Sequence, residues 1–459
     1  MKIKTILWGI LLTSSLGLNA QNNCLQFDGS DDYVDCGTIN LSGSAITLEC
    51  WVNVDLFQSN DPFISTLIGT EVSASNIALL RLGDATLAPN KAQFVLLFGS
   101  SEIKLNGNTL LLTNTWYHIA ATYDGSNMKI YINGILDASS SQSGSFTSFS
   151  TFNIAKSLEG RYLNGKIDEI RVWTDARTEQ EIRENMCQTI IGNEPGLVAY
   201  YKMNETTGTN LHDETTNNND GTLNYFTGTY WIDSEAFTTW NGSVSADWAT
   251  PGNWTDGVPD QYDNVGITND GTSPSSTGDI EINNLVVCTG ASLDLNNASS
   301  GHTTHGNVFN IGTTTLNDID LTIEGSLYLL PASTLNIEPA AELTVINNVK
   351  LLHFISGASL NIKSTASGTG SLIINGNLSN DQGTITTQRY ISGSSNNWHF
   401  LSSPVTNQEI SGNFIDANGY DFYLYNEPSN EWINRKNLSS GGGSSPFFNI
   451  VNQYCPVIK

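Results

Sequence analysis

Apolar and polar positions alternate clearly along residues 116–133. Tyr117, Ile119, Ala121 and Tyr123 interleave with Trp116, His118, Ala120 and Thr122; after Asp124-Gly125, Met128, Ile130 and Ile132 interleave with Lys129, Tyr131 and Asn133. A period of two is that of a half-buried strand. Asp-Gly and Asn-Gly between such runs favour tight hairpins, because the turn residues need positive φ. Asp124-Gly125 and Asn133-Gly134 therefore predict a three-stranded antiparallel meander. Strand-like runs also occupy residues 24–34, 46–54, 77–82, 93–98, 152–155, 163–173 and 196–201. One helix is predicted after Thr178, which forms a capping box with Glu181 and is followed by Ile182 and Met186 on one apolar edge.

Within residues 163–173, strict alternation puts Asp168 on the same face as Ile170 and Val172, pointing into the core. A carboxylate there needs backbone N–H groups, a basic side chain or a cation as partner.

The second half differs in pattern. Residues 239–259 (TWNGSVSADWATPGNWTDGVP) space Trp240, Trp248 and Trp254 among turn formers. The indoles make either a sugar-stacking platform or a layer capping the next domain. From residue 279 to 387 a turn, small residues and alternating apolar positions recur, as in GASLDL, PASTLNI, PAAELTV, GASLNI and GSLII. Stacked copies would bury an apolar column that no single copy can. A right-handed parallel β-helix is expected, with a second β-sandwich as the alternative.

The chain has 459 residues, too many for one ordinary domain, and its 41 glycines with only 14% charged residues suit an all-β protein. Forty-five acidic against 19 basic residues give a formal charge of −26, which repels nucleic acid and anionic lipid. Residues 1–20 read as a signal peptide: Lys2 and Lys4, an apolar run over 6–12, then Leu18-Asn19-Ala20. The mature protein is thus expected outside the cell or at its surface, with no membrane span. Six cysteines show no CxxC pair, which argues against zinc. Cys50, in ITLECWVNV, reads as a small buried hydrophobe.

FDGSDDYV, TLECWV, WYHIAATYDGSNMKIYINGIL, GKIDEIRVWTDARTEQEI and EPGLVAYYKMNE occur in this order over about residues 24–235. Together they resemble the laminin-G-like, concanavalin A-type jelly roll. The resemblance implies an antiparallel sandwich and leaves open lectin, adhesion, spacer and enzyme roles; the expected partner is a glycan or a cell-surface or extracellular ligand. Members often hold calcium at the sandwich rim. Pairing of the first and last strands would set Asp28, in the acidic turn 28–32, near Asp168, as a calcium pair. The equal alternative is that Asp28 caps its own turn as an Asx-turn. The helix after Thr178 would also bring Cys187 beside the first strand, as a disulfide partner for Cys24. Residues 389–405 and 421–434 resemble a segment preceding the sorting domain of proteins exported by the type IX system of Bacteroidetes.

The expected organisation is a signal peptide (1–20), a jelly roll (21–236), a Trp-rich junction or cap (237–278), solenoid-like repeats (279–388) and an incomplete β-rich C-terminal region (389–459). The E-x-D-x-x-E string of jelly-roll glucanases does not occur, nor does G-x-S-x-G or H-E-x-x-H. His302 and His305 form H-x-x-H outside any helix, and the EF-hand-like window from Asp416 to Glu427 has its glycine misplaced. The reading is a secreted, non-catalytic carbohydrate-binding or adhesion protein. Its rivals are a structural or protein-binding surface module and, last, a polysaccharide-degrading enzyme.

Overall fold

In the computed structural model the described residues are 22–388, except 73–75, 159, 270, 277, 297–300, 353–356, 366–367 and 382, together with four short strands further on. The expected signal peptide at 1–20, most of 389–405, both ends of the Asp416–Glu427 window and Cys455 lie outside them. The chain divides into two units, residues 1–363 with 369–388, and residues 364–368 with 389–459. In the second unit His399–Phe400, Pro456–Ile458, Phe422–Asn426 and Glu431–Asn434 form a four-stranded antiparallel sheet in that order.

The first unit opens with β1 (Asn23–Asp28), β2 (Tyr33–Asn40), β3 (Ile46–Val54), β4 (Ser65–Val72), β5 (Asn76–Asp84), β6 (Leu87–Phe98) and β7 (Ser101–Asn106). The meander follows as β8 (Trp116–Tyr123), β9 (Asn127–Ile132) and β10 (Ile135–Ser141). Asn133 and Gly134 take φ of 48° and 72°, as the Asn-Gly turn requires. Then come β11 (Phe149–Ile154), β12 (Asn164–Trp173), α1 (Glu179–Asn185), β13 (Leu197–Tyr201), β14 (Asn210–Leu211), β15 (Gly221–Asn224) and β16 (Trp231–Asp233).

These strands make two antiparallel sheets of eight. The first runs β10-β9-β8-β3-β12-β1-β16, with β13 also on β12; the second runs β14-β15-β2-β11-β4-β5-β6-β7. Their inner faces meet through Leu25, Phe27, Val52, Ile68, Leu80, Phe94, Ile119, Ile130, Ile167 and Val172, all essentially inaccessible to water, with Cys50 among them. This is the expected jelly-roll sandwich.

From Thr238 the strands become parallel, in sheets of seven, six and five strands that wind into a solenoid of about five coils. Equivalent positions stack in register: Val265, Leu285, Val308, Leu327 and Val349 form one interior column. Asn side chains tie successive coils at a corner, Asn284 Oδ1 accepting from Asn307 N (2.8 Å) and Asn307 Oδ1 from Ser326 N (2.9 Å). Trp240, Trp248 and Trp254 pack edge to face with centroids 4.6 and 5.0 Å apart, and all three are buried in the solenoid core. Their burial leaves no indole face open for stacking on a sugar.

The α1 helix, with the Thr178–Glu181 capping box in place, lies on the outer face of the first sheet. Ile182 packs on Ala120 and Tyr131 there. The neighbouring side of the helix meets the solenoid: the Arg183 guanidinium sits 5.2 Å over the Phe309 ring and 5.0 Å over Tyr328. Sandwich and solenoid share one packed seam, in which Trp51 Nε1 donates to Met186 O at 2.6 Å.

Candidate functional site

The turn between β1 and β2 concentrates charge at the sandwich rim. Asp28 Oδ1 accepts from Ser30 N (2.7 Å) and Asp31 N (3.4 Å), so Asp28 does cap its own turn. Asp32 Oδ2 accepts from Asp28 N at 3.1 Å. One carboxylate oxygen from each of Asp28, Asp31 and Asp32 lies within 4.8 Å of the others. Asp28 and Asp31 are exposed, while Asp32 is buried; burial, and next the neighbouring Asp28, push its carboxyl up to about 6. Asn164 Nδ2 donates to Asp28 O (2.9 Å) from β12, which anchors the turn. A side chain at Gly29, whose φ is 79°, would strike Asn164 Cβ at 2.6 Å.

An aromatic patch adjoins the turn. Tyr33 follows Asp32 directly, and its ring lies 6.0 Å from that of Tyr225, with Lys156 Nζ 4.0 Å above its centroid. Tyr225 is 66% exposed and has φ of 71°. A bulky residue in the left-handed region stores about 1–3 kcal/mol of strain. The cause lies on either side of it: Asn224 still pairs with Tyr33, and the chain must then turn sharply so that Phe226 can pack on Phe27 at 5.3 Å. Exposed Leu56 and Leu112 flank the same rim, since Leu56 N donates to Asn164 O and Asn114 N to Val54 O. The donor set (three hard carboxylate groups converging on one point) fits a divalent cation such as calcium, and the tyrosine faces fit a sugar ring.

The structure does not bring Asp28 and Asp168 together. Asp28 pairs with Asn164, whereas Asp168 lies past the Leu25–Ile167 pair, about 13 Å further along the ladder at strand rise. Nor does Asp168 point into the sandwich core. The ladder between β12 and β3 shifts register between Asp168 and Arg171, and Glu169 takes φ of 50°. This bulge turns Asp168 to the outer face, opposite Trp51. There it accepts from Ser234 Oγ at 2.6 Å and Glu169 N at 2.8 Å. Burial raises its pKa well above the ordinary range, with Glu169 the next cause.

The same outer face holds a buried polar network that alternation alone did not single out. Glu169 carries an ion pair with Arg171 (2.7 Å) and accepts from Tyr200 Oη (2.7 Å). Glu49 accepts from Trp173 Nε1 (2.8 Å), and His118 Nε2 lies 3.6 Å from its other oxygen. Burial, then Arg171, holds His118 down to about 3, so the imidazole is neutral. The available signal was Glu49, an acid inside the apolar run ITLECWVNV. For Tyr225 no sequence signal existed.

Cys24 and Cys187 are both buried and are not bridged. The Cys24 sulfur rests 3.7 Å from Asp233 O, while Cys187 is held on the solenoid side by Thr239 Oγ1, which donates to its carbonyl at 2.9 Å. His302 is buried, accepting from Ile280 N (3.0 Å), and His305 faces out toward Glu324 (2.9 Å). Three residues apart on an extended chain they point to opposite faces, so they do not form a ligand pair.

Residues 28–183 match the concanavalin A-like lectin/glucanases superfamily in its third laminin-G family. Over 88 residues the chain is 35% identical to human pappalysin-1, a match covering 18% of this chain and 5% of that protein. Among solved structures it is similar to a putative carbohydrate binding protein from Bacteroides ovatus (28% identity, 47% of this chain, 62% of the other, TM-score 0.38). It is also similar to a heptameric SAP-like pentraxin from Limulus polyphemus (13% identity, 36% and 82%, TM-score 0.30). Family match and sandwich topology agree that residues 28–183 lie in a laminin-G-like, concanavalin A-like jelly-roll domain.

Proposed function

We propose that this chain is an exported, non-catalytic carbohydrate-binding or adhesion protein whose jelly roll takes a glycan at the acidic and aromatic rim. The observation that carries the reading is the exposed, backbone-strained Tyr225 beside Tyr33 and the three carboxylates. A ring 66% exposed beside converging carboxylates is placed to stack on a ligand rather than to pack. Tyr225 and Tyr33 would stack on a sugar ring. Asp28, Asp31 and Asp32 would hold calcium, which supplies coordination for vicinal hydroxyls when bound. The superfamily match, which spans lectins and glucanases, supports a binding module.

The test is a glycan array probed with the full chain in calcium and in chelator, beside an assay for reducing ends released from algal and plant polysaccharides. Calcium-dependent retention of a glycan without release of reducing ends is expected. Release of reducing ends would overturn the non-catalytic reading, and a blank array the glycan reading. A protein-binding surface module is the second reading, favoured by the exposed Leu56, Leu110 and Leu112.

A further inference from the structure

We infer that Cys187 and Cys288 are disulfide partners, and that their bond fastens the jelly roll covalently to the solenoid. Cys187 follows the C-terminal end of α1, and Cys288 follows the solenoid strand Leu285–Val287. The Cys288 sulfur lies 3.7 Å from the carbonyl oxygen of Glu184, the residue one helical turn before Cys187. Cys187 lies in the turn just past the Met186 C-cap, so Cys288 rests against the end of the helix from which Cys187 emerges.

A second set of contacts fixes the other side. A Cβ built on Gly266 would stand 3.3 Å from Cys187 Cβ and 2.0 Å from its carbonyl oxygen, so the strand Val265–Ile267 touches Cys187 directly. Gly266 pairs with Val286, and Cys288 N donates to Ile267 O at 2.9 Å. Cys288 is two residues beyond Val286 and shares its outward face, one strand away from the point where Cys187 rests. Both side chains are buried in this seam, and both are thiols in the structure, so it shows the pair before oxidation. Burial and then Cys288 raise the Cys187 thiol, so the two sulfurs lie within electrostatic range of each other.

In forming the bond, each thiol loses a proton and the pair gives up two electrons to a disulfide donor of the glutathione-disulfide class, which leaves as two thiols. A buried, neutral thiol exchanges slowly, so the bond forms as α1 docks during folding.

The full chain, unfolded in denaturant with reductant and refolded with a glutathione redox pair, would be blocked with iodoacetamide and digested without reduction. A linked peptide pair containing Cys187 and Cys288 is expected from the wild type and from Cys24→Ser. In Cys187→Ser and Cys288→Ser the remaining thiol should be alkylated. The same chain purified from an oxidising compartment serves where refolding fails. Alkylation of both cysteines in the oxidised wild type, or linkage of Cys187 to Cys24 or Cys455, would overturn the inference.

Discussion

Asp168 and Ile170 stand two residues apart on one strand and face opposite sides of the sheet: Ile170 pairs with Tyr201 and lines the sandwich core, while Asp168 pairs with Trp51 on the outer face. Glu169, at φ of 50°, is the extra residue that makes this possible. Replacing Asp168 by Asn should cost about 1 kcal/mol: with its oxygen on Glu169 N, the carboxamide turns N–H₂ to Ser234 Oγ, and that hydroxyl loses the acceptor it donates to. Chemical denaturation checks this. Calcium should not alter the loss, since Asp168 is far from the rim.

Tyr225 separates binding from stability. Tyr225→Ala should weaken glycan retention by roughly five- to thirtyfold, the loss of one stacked ring. Tyr225→Gly should lose the same affinity and also stabilise the fold by about 1 kcal/mol, through relief of the positive φ. Equal melting temperatures for Gly and wild type would show that the backbone there is unstrained.

Asp32 sets a pH dependence. Its folded-state pKa, about 6, lies above the ordinary value of 3.8. The native state therefore holds more protons than the unfolded one between those values, and stability is fully present at low pH and falls as pH rises toward 6. In chelator the wild type should show this decline between about pH 4 and 6. Asp32→Asn should remove the decline, and added calcium should remove it in the wild type.

Arg183 ties the seam. It is 3% exposed, donates to Gly134 O at 2.8 Å, pairs with Glu179 and covers two solenoid rings. Arg183→Ala should destabilise by about 1–3 kcal/mol, having removed the donor to Gly134 O and the cation over two rings, while the partly exposed Glu179 returns to water. The loss should appear in calorimetry as sandwich and solenoid melting separately.

Much of the architecture was legible in the chain. Asp124-Gly125 and Asn133-Gly134 announce their turns because few other pairs accept the dihedrals. The recurrent GASLDL-like units announce the solenoid because only stacking buries their apolar positions. The bulge at Glu169 was not legible, since a period-two reading assumes unbroken alternation and an inserted residue leaves no composition signal. That one residue moved Asp168 from the core to the seam, while the β1–β12 register, which pairs Asp28 with Asn164, keeps the two carboxylates apart. Of the expected site, Asp28 stays at the rim, where Asp31 and Asp32 join it. Tyr225 stayed hidden because its conformation follows from the anchoring of Phe226 on Phe27, a contact between distant segments. The Cys24–Cys187 pairing was drawn from the course of the helix alone, which could not foresee that α1 would lean on the solenoid.

The in-register columns of the solenoid give its length a grain. Each coil repeats the same interior positions, Leu327 over Val308 and Val349 over Leu327, so a whole coil can be added or removed without disturbing its neighbours' packing. The reach of this segment is then a multiple of the strand spacing, about 4.8 Å per coil. A lineage would tune it in discrete steps, by duplicating or losing some twenty residues at a time, while the rim of the jelly roll stays as it is.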